Sequence, residues 1–242
     1  MSRGLTVPAC PRLVERVSIK DFLQIKKRKK EVRNVNLVDH RGYMRRVINE
    51  AMREVEEIGW CNLKIPEFTM DIDEEVLHWP IVGTIYFRNG FTISIQRLEI
   101  SSSINQIWSW NIDGTATVRV TGSVVMHDVL IGFDVDSHVN NIIHRSTGTF
   151  LRNRIACNIN IFKNTHTQDM HVTVVIDHPG SQNKLTFMPS NNITQVVRAL
   201  YNQNLTFYGI TDWGPLIFEP IFLDVVKNKV EFPEVCYDCP VS

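Results

Sequence analysis

With 242 residues, 43% of them hydrophobic and 21% charged, the chain is long enough for one well-filled domain and too apolar for global disorder. Basic and acidic side chains balance at 26 each, yet residues 1–46 hold 13 basic against 4 acidic groups, a balance of +9 offset by −9 over the remainder. No stretch approaches the ~18–20 apolar residues of a membrane-spanning helix, and five cysteines are too few and odd in number for a disulfide scaffold.

Residues 1–38 read as a basic arm, with Lys26, Lys27, Arg28, Lys29 and Lys30 in a row and little apolar periodicity after Phe22. Such a cluster suits electrostatic contact with an anionic membrane surface or an acidic partner. Nucleic acid is not expected, because the aromatic interleaving that stacks bases is missing. The opening residues lack the continuous apolar core of a secretory signal, which taken literally keeps the chain in the cytosol. Two glycosylation acceptors, Asn192-Ile-Thr194 and Asn204-Leu-Thr206, point to the secretory route instead. On its residues alone the compartment stays open.

Asp39 reads as an N-cap, and Tyr43, Met44, Val47, Ile48, Ala51, Met52, Val55 and Ile58 follow at helical spacing before Gly59 stops the helix. From Ile65 the period changes to two. Asp71, Asp73, Glu74 and Glu75 suit a wet loop, and Thr84–Phe87 and Phe91–Leu98 are expected as strands of a hairpin turned at Asn89-Gly90. Asn111–Gly114 reads as a second turn. A strand follows with Ala116, Val118 and Val120 on one face and Thr117, Arg119 and Thr121 on the other, bulged at Gly122 and broken near Met126-His127-Asp128. Later strands are expected at Val129–Val135, Ile159–Phe162, Val172–Ile176 and Lys184–Met188, with a turn at Asp177–Gly180 and a short helix over Asn191–Tyr201.

The run from Gly214 to Phe232 carries Leu216, Ile217, Phe218, Ile221, Phe222, Val225, Val226 and Val230, apolar over far more than one helical face. A helix of that kind must be wrapped by other structure. The expectation is therefore an α+β fold: a curved antiparallel sheet around an apolar C-terminal helix, with an amphipathic N-terminal helix. One domain spans residues 39–235, and 236–242 form a tail holding Cys239.

Chemistry is sparse. Cys236-X-X-Cys239 has no second pair at zinc-finger spacing, and the histidines, among them His127, His138, His144, His166, His171 and His178, form no ligand motif, so neither metal nor cofactor is expected. Asp134 and Asp136 share a strand face but suit a solvated strand end. No nucleophile elbow, P-loop or dinucleotide fingerprint occurs, so no catalytic residue and no enzymatic activity is expected.

The amphipathic helix, the proline-marked link Leu63-Lys64-Ile65-Pro66, a meander with Asn89-Gly90 at its first turn, the late apolar helix and the run Val118–Asp134 resemble the mite group 7 allergens and their arthropod relatives. Those are similar to the takeout and juvenile-hormone-binding proteins and to the bactericidal/permeability-increasing, or tubular lipid-binding, superfamily. The resemblance covers roughly residues 40–232 and implies a super-rolled sheet around a long C-terminal helix, with apolar molecules held between them. It also implies secretion, and departs from this chain at both ends, which lack a signal and shorten the helix. The expected function is binding or transport of a fatty acid, isoprenoid or other lipid-like ligand. Ile217, Phe218, Ile221, Phe222 and Val225 would form the helical wall and Val118, Val120, Val124 and Met126 the sheet wall, flanked by Met44, Ile48, Met52 and Val55. The alternative is an interaction protein with a filled core, acting through its basic arm.

Overall fold

The computed structural model describes residues 35–76, 78–110, 115–177 and 184–237. The basic cluster at Lys26–Lys30, the Asn111–Gly114 turn, most of the turn after Asp177, and Cys239 lie outside them. The chain divides into two compact units, Met1–Asn36 with Cys236–Ser242, and Leu37–Val235. β1 (Val35–Leu37) and β10 (Val235–Tyr237) pair as a two-stranded sheet. Cys236 is disulfide-bonded.

Local chemistry sets α1 (His40–Ile58). Asp39 takes a left-handed conformation and its carboxylate accepts from the Gly42 N–H at 3.0 Å, while Gly59, at φ 88°, ends the helix and donates to the Glu56 carbonyl. Tyr43, Met44, Val47, Ile48, Ala51, Met52 and Val55 are buried in one stripe. Ile58, expected on that stripe, is exposed because the helix ends there.

The second unit is built on an eight-stranded antiparallel sheet. Its strands are β2 (Lys64–Ile65), β3 (Phe68–Val76), β4 (Trp79–Ile100), β5 (Asn105–Trp110), β6 (Ala116–Val139), β7 (Ile142–Asn164), β8 (Met170–Asp177) and β9 (Lys184–Met188). The spatial path is β2-β4-β6-β7-β8, with β3 on β4, β5 on β6 and β9 on β7. The acidic residues from Asp71 to Glu75 lie in β3 rather than in a loop, alternating with the buried Ile72 at the edge of the sheet.

Asn89-Gly90 is not a hairpin turn. β4 runs through it as one strand, and the register passes from Arg88↔Asp134 to Phe91↔Gly132, so β4 spends an extra residue there. Asn89 supplies the positive φ of 50° that such a bulge needs. A second shift follows between Thr92 and Ser94. β6 also continues without a break past Met126-His127-Asp128, where Asp128 alone turns to φ 50°. β7 is likewise a strand of 23 residues, not the short Ile159–Phe162 segment. Gly122 keeps register with Ile159; its missing Cβ instead leaves room for Met44 of α1, whose Cγ would lie 2.6 Å away. The β6–β7 turn falls at Asn140-Asn141, both at positive φ, as a two-residue turn requires.

Asn191 caps α2 (Asn192–Leu200) through a reciprocal pair with Thr194. After an extended break at Tyr201-Asn202 the chain is helical through a 3-10 turn (Gln203–Thr206), α3 (Phe207–Thr211), a π-helical piece Gly214–Phe218, α4 (Glu219–Asp224) and a second π-helical piece Val225–Lys229. The terminal helix thus begins before Gly214-Pro215 and stops short of Phe232. Pro220 cannot donate to a carbonyl one turn back and its ring crowds that turn. The helix is wider there, and the Glu219 N–H reaches the Gly214 carbonyl five residues away.

Two bonds show how far the sheet curves. Trp213 Nε1 donates to the Lys64 carbonyl of β2 at 2.7 Å, and Glu219 Oε1 accepts from the Val174 N–H of β8 at 2.9 Å. Both ends of the strand path, β2 and β8, thus meet the terminal helix, and the curved sheet packs around it. Gly214 permits the closest approach, since a Cβ there would lie 2.4 Å from the Val174 carbonyl oxygen.

Candidate functional site

Phe218, Phe222, Val225 and Val226 of the terminal helix are buried in one core with Val118, Val120, Val124 and Met126 of β6 and Met44, Ile48, Met52 and Val55 of α1. Ile217 and Ile221 are half-buried at its margin. Alternation along β6 brings the sheet residues to the inner face, as the expected pattern has it. Farther along the same interior, Phe68 stacks on Phe87 at 4.5 Å, with Phe133, Phe150 and Tyr201 around them. Arg152 lies buried among these rings, its guanidinium 5.0 Å from the Phe150 centroid, and burial lowers its affinity for a proton. Burial likewise pushes the Tyr201 phenol up to about 12, against the opposing pull of its bond to Thr206 and of Arg152.

The open space lies beside that core. A cleft of about 670 Å³ runs between the terminal helix and the β2 side of the sheet. Ile65, Pro66, Phe91, Trp213, Leu216 and Ile217 give it apolar walls, and Lys64, Glu67 and Asp212 stand among its polar lining residues. Its geometry follows from three local features. The bulge at Asn89-Gly90 bends β4 where β2 hands over to β3 along the same edge, since Ile65 pairs with Gly90 and Phe68 with Phe87. Leu63 anchors β2, its carbonyl accepting from the Thr92 N–H at 2.9 Å and from its hydroxyl at 3.2 Å. Gly209 lets α3 approach, for a Cβ there would meet Pro66 Cδ at 2.6 Å.

Of the thirteen expected ligand-contacting residues, Ile217 alone lines this cleft. Alternation grouped the β6 residues onto one face, but neither the strand register nor the place where the interior stops being filled was readable. The available signal was the excess apolar circumference of the terminal helix. Leu216, counted in that run, is 72% exposed, so the part of the helix left unwrapped is the part that faces the cleft.

The other candidates lie apart. Asp134 and Asp136 are on the outer face of β6, where Asn89 donates to Asp134 at 2.8 Å and Asp136 pairs with Arg88 at 3.2 Å and Arg145 at 3.6 Å. Asn192 and Asn204 are exposed. Among the described residues no group of three or more His, Cys, Asp or Glu is placed to hold a metal ion, and no helix is long and apolar enough to cross a membrane.

The sequence matches no family model and no curated protein. Among solved structures, the chain is similar to the crystal structure of a lipopolysaccharide binding protein, with a TM-score of 0.43 and 8% identity over 80% of this chain and 40% of that one. The chain thus spans well under half of that protein's length.

Proposed function

We propose that the protein is a non-enzymatic binder or carrier of apolar small molecules, of the fatty-acid, isoprenoid or lipid-like class, and that the cleft beside the terminal helix receives them. The observation that carries this reading is a cleft of about 670 Å³ walled by Ile65, Phe91, Trp213, Leu216 and Ile217. That volume lies within the usual ~300–1,000 Å³ of small-molecule sites. Each methylene withdrawn from water contributes about 0.8 kcal/mol, so a chain laid along these walls gains affinity by burial without a charged anchor. Kinship with the group 7 allergen and takeout-like proteins belongs to this proposal and rests on the sequence resemblance over residues 40–232.

One observation favours the alternative of a packed interaction protein: the helical and sheet walls expected to hold ligand fill one another. Titration of delipidated protein with a fluorescent fatty-acid probe separates the two. Saturable binding that Ile217→Asp abolishes, with circular dichroism unchanged, supports the cleft. Absence of probe binding by the wild type leaves the packed protein as the reading.

A further inference from the structure

We propose that the end of the sheet formed by β3, β4, β6 and β7, remote from the cleft, inserts into the surface of a lipid bilayer. The end is apolar and exposed: Trp79 is 76% accessible, Ile143 59%, Ile142 57% and Val82 50%, with Val76 beside them. Pairing makes these residues neighbours, since Val76 opposes Trp79, Gly83 opposes Val139, and Val139 and His138 oppose Ile142 and Ile143. Asn140 ties the two strand ends together. Its N–H donates to the Val82 carbonyl at 2.9 Å, its Oδ1 accepts from the Val82 N–H at 3.0 Å, and its Nδ2 donates to the Pro80 carbonyl at 2.9 Å.

The distribution over the two faces selects the occupant. Val76, Trp79 and Ile142 share the face of Val139, whereas Val82 and Ile143 project from the opposite one. A protein partner packed on the sheet would need one apolar face. An end apolar on both faces suits a medium that surrounds it. Charge restricts the lipid. Asp73 opposes Val82 and Glu74 opposes Ile81 with no ion pair for either among the described residues, and Glu75 reaches only His78, so the β3 side of this end is acidic. An acidic rim is repelled by an anionic surface, which leaves a zwitterionic headgroup layer as the one this end meets. The indole of Trp79 places an apolar ring and one N–H donor where hydrocarbon meets headgroups.

This contact is independent of the cleft, because at ~3.3 Å per residue β4 carries Trp79 roughly 35 Å from Gly90. The test is flotation of the full chain with phosphatidylcholine vesicles at high salt, which silences the basic arm. Wild type should float, and Trp79→Ser with Ile143→Ser should lower the partition coefficient at least about tenfold, while Val175→Ser, an exposed apolar residue of β8 outside both regions, leaves it unchanged. Phosphatidylcholine with brominated acyl chains should quench an emission component that Trp79→Phe lacks. Failure of the wild type to float, equal flotation of the double variant, or a wild-type dimer that the double substitution dissociates in native mass spectrometry would each overturn the proposal.

Discussion

Gly90 sits where three parts of the molecule converge. A Cβ at this position would lie 2.5 Å from Phe133 Cε1 and 2.9 Å from Ile65 Cβ, so Gly90→Ala forces a shift in the wall of the cleft. The expected cost is about 1–3 kcal/mol, the usual range for overpacking, read as a lower urea midpoint at unchanged slope. His40 makes a different residue-scale test. Its imidazole is held below the ordinary value of 6.5, first by burial and then by Arg41, with Asp39 opposing. The unfolded imidazole therefore takes up a proton at a pH where the folded one does not. Stability should be intact above 6.5 and fall as the pH drops through and below it. Urea midpoints between about pH 8 and pH 5 should decline more steeply for wild type than for His40→Gln, and parallel curves would remove His40 from the account. The residues of α1 were legible because cap and periodicity are local chemistry. Asn89-Gly90 was not: positive φ serves a turn or a bulge equally, and only pairing with β6, more than forty residues away, decides which.

At the scale of elements, the terminal helix has two jobs that its sequence presents as one apolar run. Phe218, Phe222 and Val225 are fully buried under the sheet, while Leu216 and Ile217 face the cleft. Burial of the first set makes Phe222→Ala costly, by roughly 3–5 kcal/mol for a fully buried ring. Val225→Phe should behave as overpacking, losing about 1–3 kcal/mol while the variant that folds still takes up a fatty-acid probe. Ile217→Asp should remove probe binding and lower the urea midpoint less than Phe222→Ala does, since Ile217 is only half-buried. If Val225→Phe instead blocks the probe at no cost in stability, the ligand space lies within the wrapped core and the cleft is not the site. Which face of each strand points inward was legible from alternation once one buried position was known. The two long strands β4 and β6 were read as broken because Asn89, Gly90 and Asp128 look like punctuation. Their continuity comes from partners on either side, which hold a strand together across a bulge.

At the scale of the whole molecule, the asymmetric charge and the apolar sheet end call for contacts of different physical kinds. The basic residues Lys26, Lys27, Arg28, Lys29 and Lys30 can act only through Coulomb attraction, which salt screens within about 8–10 Å at ordinary ionic strength. Trp79, Ile142 and Ile143 act by leaving water, which salt does not weaken. The two contributions can be separated in one full-length protein. Replacing Lys26, Lys27, Lys29 and Lys30 with Gln should weaken binding to phosphatidylserine-rich vesicles at low salt by about 1 kcal/mol for each lysine that reaches the surface. The same loss should follow in wild type on raising the salt. Binding of this variant to phosphatidylcholine vesicles should equal that of wild type at every salt concentration, because the sheet end is untouched. The decisive measurement is a pair of salt titrations of vesicle binding, one on each lipid. A charge-neutralised variant that binds both vesicles like wild type excludes the arm as an attachment. One that loses both ties the two contacts together and removes the independence argued for the sheet end.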